Sequence, residues 1–192
     1  DSDFLFIEKM ESDRALRYRM GELPSLFIEK TRSSGEGFES VELALPFYGE
    51  KGLYSMLAGE HYSAETVPET TGPVVPDRIT GIIIDVSEFP GFQPSLEPGI
   101  FTDQGRRIYG AGTVSRNCAV RRGLASYYDQ ESKARQDRRL GFAPYYVFAA
   151  GLRGRNRSDV FLDSVDIMRI LGSESGRNAL KKCAVVFVVP RS

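Results

Sequence analysis

The sequence predicts a single α+β domain in which a mixed, largely antiparallel sheet of about five to six strands packs against about two to four helices. Two apolar runs support this most strongly, the Ile-Ile-Ile within residues 79–86 and the Ala-Val-Val-Phe-Val-Val that ends at residue 189. Each predicts a strand covered on both faces. Charge-rich stretches and short apolar stripes with helical spacing lie around them and indicate helices.

The first 37 residues predict an N-terminal extension or edge element, followed by an α+β domain over residues 38–192. The pentapeptide LFIEK occurs at 5–9 and again at 26–30, with a charged, helix-favouring stretch between the two copies. We expect two short strands flanking one helix. Residues 31–37 (TRSSGEG) are typical of a flexible turn.

The remaining elements follow from local patterns. Alternating apolar residues at 41–45 predict a half-buried strand. Six of the ten prolines fall between Pro68 and Pro98, so we expect extended or looped chain there. The other expected elements, in chain order, are a helix near 51–58, strands near 79–86, 99–102 and 106–110 with a turn at Gly105, a solvated helix at 126–140, a strand near 145–152, a helix near 164–171, a further helical turn capped by Ser175, and a central strand at 183–189.

Charge is divided unevenly along the chain. Residues 1–100 contain 18 acidic and 8 basic side chains, and residues 101–192 contain 8 and 17, for a net charge of −1. A basic half can bind a polyanion. Within one compact domain, however, the two halves interleave and neutralise each other, and we favour that interpretation.

Composition excludes several kinds of site. One histidine, His61, and two cysteines are too few for a zinc or multi-histidine centre. Neither a phosphate-binding loop nor a dinucleotide fingerprint is present, and the elbow-like residues 172–176 have Glu174 where a nucleophile would stand. We therefore predict no metal, no cofactor and no catalytic residues.

Two groups of charged residues remain as candidate sites. If residues 151–159 are extended, Arg153, Arg155 and Arg157 project from one face and offer guanidinium groups to a phosphate, a carboxylate or a partner. A solvated hairpin tip, kept soluble by its arginines, fits these residues better. Asp85 and Glu88 lie where a central strand ends and could form a carboxylate site, although a loop-capping role fits them better.

Cys118 and Cys183 are the two cysteines. They could form one disulfide in an oxidising compartment. Cys183 begins an apolar strand, however, and also fits a small buried core residue.

Several segments together resemble a known family. They are residues 80–85 (TGIIID), 94–98 (PSLEP), 103–110 (DQGRRIYG), 114–116 (VSR), Gly151, 154–160 (GRNRSDV) and 180–186 (LKKCAVV). In this order they resemble secreted bacterial proteins related to small outer-membrane lipoproteins and to the periplasmic flagellar assembly protein T. After Asp85 this chain has Val86-Ser87-Glu88, where the group tends to have a small and then a basic residue.

The resemblance implies a periplasmic or outer-membrane location after removal of a signal peptide. It also implies a structural or binding role without known catalysis. We therefore expect a non-enzymatic module that binds an envelope or flagellar protein. The alternatives are a polyanion- or nucleic-acid-binding domain using the basic C-terminal half, which we consider unlikely, and an enzyme with a carboxylate site. No run of about 18 apolar residues, the length of a membrane span, occurs in the sequence.

Overall fold

The computed structural model describes residues 6–58, 67–68 and 78–191, so His61 lies outside the described residues. Helices and strands are interspersed, which confirms the α+β class. The helices are α1 (Phe6–Ser12), α2 (Arg14–Met20), α3 (Leu53–Leu57), α4 (Arg116–Arg122), α5 (Glu131–Ala134), α6 (Ser164–Gly172) and α7 (Glu174–Lys181). The strands are β1 (Ile28–Gly35), β2 (Phe38–Ala44), β3 (Gly81–Asp85), β4 (Ile100–Thr102), β5 (Arg107–Tyr109), β6 (Ser126–Tyr128), β7 (Pro144–Phe148), β8 (Gly151–Arg153), β9 (Asp159–Leu162) and β10 (Val185–Val188).

A parallel four-stranded sheet forms the centre of the molecule, in the order β6-β10-β3-β7. The two inner strands, β10 and β3, are the two apolar runs, and every residue of both is buried. Val186 lies opposite Ile83 in the register. The prediction of two central, fully covered strands is confirmed, because a parallel sheet is buried on both faces.

A second four-stranded sheet has the order β5-β4-β9-β8. The β4–β5 hairpin turns at Gly105, whose φ of 81° is in the left-handed region that glycine tolerates, as expected. The predicted strands therefore belong to two sheets, where we expected one largely antiparallel sheet. They divide because the predicted strand at 145–152 bends at Ala149 and Ala150, so that β7 joins the first sheet and β8 joins the second.

Side chains from both sheets and three helices form the main core. Ile167 and Ile170 of α6, Ala179 and Leu180 of α7, and Val120 of α4 are buried against the strands. A smaller apolar cluster covers the opposite face of the parallel sheet. Its buried members are Ile83, Ala134, Leu140, Val186 and Val188.

The helix predicted at 126–140 is wrong. Residues 126–128 form β6, and only Glu131–Ala134 are helical. Glu131 and Arg135, four residues apart, form an ion pair, with Arg135 Nε 2.6 Å from Glu131 Oε1. The aromatic pair Tyr127 and Tyr128 instead pairs with β10, because the edge of a buried sheet offers backbone partners that outweigh weak helix preference.

The N-terminal segment also differs from its prediction. Residues 6–9 begin α1, whereas the second copy of the same letters leads into β1, so the repeat does not form two similar strands. Residues 31–35 extend β1, and the predicted flexible turn shrinks to Glu36 and Gly37. The domain boundary expected after residue 37 falls at this turn, between two strands that pair with each other.

The C-terminal helices begin close to where we predicted them. The helix expected at 164–171 is confirmed as α6. Ser173, rather than Ser175, caps α7: its hydroxyl oxygen accepts a 2.9 Å hydrogen bond from Gly176 N. Ser175 Oγ instead accepts from Ile79 N at 2.9 Å and so ties α7 to the chain that enters β3.

Candidate partner-binding surface

The strands β1 and β2 form an antiparallel hairpin, which we call the arm (residues 28–44). Among the residues that the structure describes, its two strands pair only with each other. The turn uses Gly37 at a φ of 85°, and the register shifts between Glu29 and Thr31. An isolated two-stranded hairpin is only marginally stable in water, so a third strand or a packed face is the usual partner of such an element.

The arm is exposed on both faces. Every residue of β1 and all of β2 except Ala44 are exposed. The half-buried strand predicted from the alternation at 41–45 is a strand, but its apolar side chains are not buried. The exposed fractions are 64% for Phe38, 55% for Leu43, 48% for Ile28 and 40% for Val41.

One face of the arm combines apolar and charged groups. Leu43 lies opposite Glu29, and Val41 lies opposite Arg32, so these four side chains share a face. Arg32 Nη2 is 2.9 Å from Glu29 Oε2, and Arg32 Nη1 is 3.7 Å from Glu39 Oε2. The hydrogen bond from Arg32 lowers the pKa of Glu29. Two apolar side chains beside an ion-paired arginine are typical of protein-binding surfaces.

The three predicted arginines point to different partners. The Arg153 guanidinium stacks over the ring of Phe101, 4.6 Å from its centroid, and Arg155 Nη1 is 3.2 Å from Glu8 Oε1. Arg157 adopts a left-handed φ of 52° in the turn after β8. Because β8 ends at Arg153, the extended geometry that we expected to align the three guanidinium groups is not found. A role for them in binding stays a prediction.

Asp85 and Glu88 do not form a pair in the described structure. Asp85 is 8% exposed, and its carboxylate accepts hydrogen bonds from Ser87 N at 2.8 Å and from the Tyr146 hydroxyl. Glu88 is exposed. Burial, followed by the hydrogen bond to Asp85, raises the pKa of Tyr146. Asp85 therefore caps the loop that follows β3, and a catalytic role stays a prediction.

Cys118 and Cys183 are brought together. Cys118 is on α4 and Cys183 lies between α7 and β10, and the neighbouring Cys183 thiol lowers the pKa of Cys118 to about 7. Both are present as thiols. A disulfide between them stays a prediction.

Comparison with known proteins identifies the part of the chain that contains both four-stranded sheets. Residues 81–191 match the model of a family described as the second domain of Tp0624 from Treponema pallidum. The match covers more than half of the chain. The chain belongs to the Tp0624 second-domain family. A search of curated proteins finds no match.

Membership of the Tp0624 second-domain family confirms the coarser prediction, that of a bacterial family. The finer relation to outer-membrane lipoproteins and to flagellar assembly protein T stays a prediction. The match begins at the first residue of β3 and continues past β10, so the arm lies outside the matched residues. Cys118 and Cys183 lie inside it.

Several of the basic residues that could bind a polyanion already form ion pairs or hydrogen bonds within the domain. Lys133 Nζ is 2.9 Å from Asp129 Oδ1, and Arg135 pairs with Glu131. The Arg139 side chain is 9% exposed and donates to backbone carbonyls. Four tyrosines of the basic half could stack on the bases of a nucleic acid. Each is hydrogen-bonded through its hydroxyl group to another residue of the domain; they are Tyr127, Tyr128, Tyr145 and Tyr146. Polyanion binding stays a prediction.

Sequence patterns did not indicate a cavity of about 550 Å³ beside α2 and α3. It is lined by Arg19, Glu22, Ser25, Leu26, Glu50, Gly52, Ser55, Met56, Ala58 and Arg116. Arg116 Nη2 donates to Ser55 O at 3.0 Å across its wall. Neither Asp85 nor Glu88 lines it. Within the described ranges, no three His, Cys, Asp or Glu side chains are grouped to hold a metal, and none of the helices has the length and apolarity needed to span a bilayer.

Proposed function

We propose that this protein is a non-enzymatic structural module that binds an envelope or flagellar protein through its arm. The exposed arm is the observation that carries the proposal. It places Phe38, Val41 and Leu43 in solvent, on strands that have no other strand beside them in the described part of the chain. Large exposed apolar side chains grouped on one element mark interaction sites.

The arm suits a particular kind of partner. Within residues 6–58, 67–68 and 78–191, no strand pairs with the outer edge of either of its strands. An extended segment of another protein can add to such an edge through main-chain hydrogen bonds. The side chains on the apolar and ion-paired face, Val41, Leu43 and Arg32, would then contact alternate side chains of the added strand. This mode of binding requires no change in the two sheets of the matched domain.

The cellular location is part of the proposal. We propose the periplasm or the periplasmic face of the outer membrane, and the support is the resemblance of the strand and turn segments at 80–116 and 151–186 to secreted bacterial proteins. Fractionation of the source cells tests this directly. Recovery in the periplasm or outer membrane supports the location, and recovery in the cytoplasm contradicts it.

Site-specific photo-cross-linking in intact cells tests binding by the arm. A photoreactive residue replaces Leu43 in one protein and the exposed Arg138, outside the arm, in another. We expect one discrete adduct from position 43 and none from position 138. Adding Val41→Lys next to the probe should abolish the adduct, because a charge replaces an apolar contact.

A matched pair of variants separates binding from folding. Val41→Lys with Leu43→Lys puts two lysines on the apolar face, and Ser33→Lys with Ser40→Lys puts two lysines at a directly paired position of the opposite face. In both doubles the photoreactive residue replaces Ser34, which pairs with Glu39 and so shares the face of Val41 and Leu43. Because all four positions are exposed, both doubles should melt within about 2 °C of the wild type. Equal loss of the adduct in both doubles, or no adduct from any arm position, would contradict the proposal.

A further inference from the structure

Two arginine side chains from different strands lie over one aromatic ring of the second sheet. Phe101 of β4 lies opposite Arg107 of β5 in the register, so the two side chains share a face. The same face continues through Phe161 of β9 to Gly151 of β8, and Arg153, two residues further along β8, projects from it as well. The guanidinium carbons of Arg107 and Arg153 lie 5.2 Å and 4.6 Å from the centroid of the Phe101 ring. One ring therefore holds two guanidinium groups close together.

The two arginine side chains cover the Phe101 ring from solvent. Phe101 is only 6% exposed, yet it belongs to neither of the two apolar clusters that form the core. The β4–β5 turn approaches Arg153 closely, because a Cβ on Gly105 would lie 2.7 Å from Arg153 Nη1. Stacking on an aromatic face is a favourable arrangement for a guanidinium group. The ring thus orders two side chains that would otherwise be flexible.

Neither guanidinium group has an acidic partner in the part of the chain that the structure describes. No ion pair or hydrogen bond joins the guanidinium group of Arg107 or Arg153 to another described residue. Asp159 lies opposite Arg153 in the register, but its Oδ1 accepts a 2.7 Å hydrogen bond from Gly99 N. Two like charges held near one ring repel each other, and a bound anion would remove that repulsion.

The charge and the donors of this arginine pair favour a phosphate monoester as the anion. Near pH 7 such a group carries a charge of about −1.5 to −2 and has three acceptor oxygens. Two guanidinium groups carry two positive charges and offer two planar forks of N–H donors. A carboxylate has a single charge and two oxygens, which one arginine already satisfies through a bidentate pair. Two arginines therefore match a phosphate monoester better than a carboxylate.

We propose that Arg107 and Arg153, stacked over Phe101, form a binding site for a phosphate monoester. Both guanidinium groups donate to the phosphate oxygens, and Phe101 positions them without touching the phosphate. The site shares no residue with the arm, so it goes beyond the proposed binding of a protein partner and does not depend on it. A soluble phosphate ester and a lipid headgroup present the same chemical group, and the experiment distinguishes these two sources.

Titration with glycerol 3-phosphate, followed through the arginine Nε–Hε signals in ¹⁵N spectra, tests the site. The signals of Arg107 and Arg153 should shift along one saturation curve, while that of Arg106 should stay in place. Arg107→Met and Arg153→Met should each weaken binding by about tenfold or more, because each removes charge-assisted hydrogen bonds. Arg106→Met is the matched control: it removes the same charge from the adjacent exposed residue and should change the affinity by less than about twofold.

Two further measurements separate a specific site from general attraction between charges. Arg153→Lys keeps the charge but loses the fork of donors and the stacked plane, so it should also weaken binding by about fivefold or more. Acetate should bind about tenfold more weakly than glycerol 3-phosphate, because it cannot satisfy both arginines. All the variants should melt cooperatively within about 3 °C of the wild type, since neither arginine side chain is buried.

Sedimentation with phosphatidylcholine vesicles that contain phosphatidic acid is the second arm of the experiment. Saturable binding of glycerol 3-phosphate supports a soluble ligand. Binding only to these vesicles, lost in Arg153→Met and kept in Arg106→Met, supports a lipid headgroup. The proposal is overturned if neither probe binds, if Arg106→Met weakens binding as much as Arg153→Met, if Arg153→Lys binds as tightly as the wild type, or if acetate binds as tightly as the phosphate ester.

Discussion

Replacing Arg139 with Met should destabilise the protein strongly, although this residue lies in a charged segment that the sequence predicts to be solvated. Its side chain is only 9% exposed. Arg139 Nη2 donates to Arg122 O at 2.7 Å, and Nη1 donates to Cys183 O at 3.3 Å and to Gly123 O at 3.4 Å. These carbonyls belong to the end of α4 and to the turn before β10, so one guanidinium group joins two parts of the domain.

The contacts set the size of the effect. A hydrogen bond from a charged donor is worth about 1.5–3 kcal/mol, and only the 2.7 Å bond to Arg122 O has short geometry. Breaking a buried ion pair costs about 3–5 kcal/mol when the partner is left alone. The partner of Arg139 is Asp137, whose Oδ2 lies 3.4 Å from Arg139 Nε. In the variant, the Asp137 carboxylate keeps its hydrogen bonds from the backbone N of residue 139, at 2.8 Å, and from the Tyr128 hydroxyl, at 3.1 Å. We therefore expect Arg139→Met to lower the free energy of unfolding by about 2–3 kcal/mol.

Equilibrium unfolding in urea, followed by circular dichroism, measures this change. Arg138→Met is the matched control, because it makes the same substitution at the exposed neighbouring residue and should change stability by less than about 0.5 kcal/mol. The midpoint should shift while the slope stays the same, since the native fold is retained. Equal stability of the two variants would refute the assignment of a bridging role to Arg139.

Two further predictions concern α7. Ser173→Ala should lower the free energy of unfolding, measured in urea, by about 1 kcal/mol, because it removes the hydroxyl oxygen that accepts a hydrogen bond from Gly176 N. The control Asp163→Ala should lower the free energy of unfolding by less, since Asp163 makes no side-chain cap hydrogen bond at the start of α6. Gly176→Ala, which improves intrinsic helix propensity, should nevertheless destabilise by about 1–3 kcal/mol in the same assay, because its Cβ would lie 2.2 Å from Ile170 O; a stabilised variant would contradict this packing.

The elements that the sequence predicts correctly are those whose signal is local. The runs at 82–84 and 184–189 contain no polar residue, which predicts strands that are buried on both faces. Gly105 indicates a turn because it adopts a left-handed φ that other residues avoid. The missed helix α4 also has a readable signal, because Ser115 caps its start and Gly123 follows its end with a φ of 71°.

The elements that the sequence mispredicts depend on tertiary partners. The letters FIEK start a helix at residue 6 and enter a strand at residue 28, because β2 is available as a partner only for the second copy. Tyr127 and Tyr128 join β10 despite the helix-like charges that follow them. The three arginines do not form a row because β8 ends at Arg153, and Arg157 adopts a left-handed φ of 52° in the turn that follows.

For the candidate sites too, the sequence identifies the residues but not their tertiary surroundings. The sequence identifies both cysteines but cannot tell that they share one core, since residues 65 positions apart are brought to it only by the packing of α4 and the turn after α7. The sequence likewise predicts a strand near Val41 and Leu43. It cannot show that the strand is exposed, because alternation describes a face and says nothing about what covers it.

The bend between β7 and β8 is only two alanines long, and it couples the two sheets through the backbone. Ala149 N donates to Asp85 O in the first sheet at 2.9 Å, and Ala150 N donates to Phe161 O in the second sheet at 2.9 Å. Two adjacent amides thus donate hydrogen bonds to different sheets. No flexible linker separates the sheets at this point, so one sheet cannot move relative to the other without breaking one of these hydrogen bonds. A tension applied across the domain would be borne by both sheets together, and the molecule would yield in a single mechanical event.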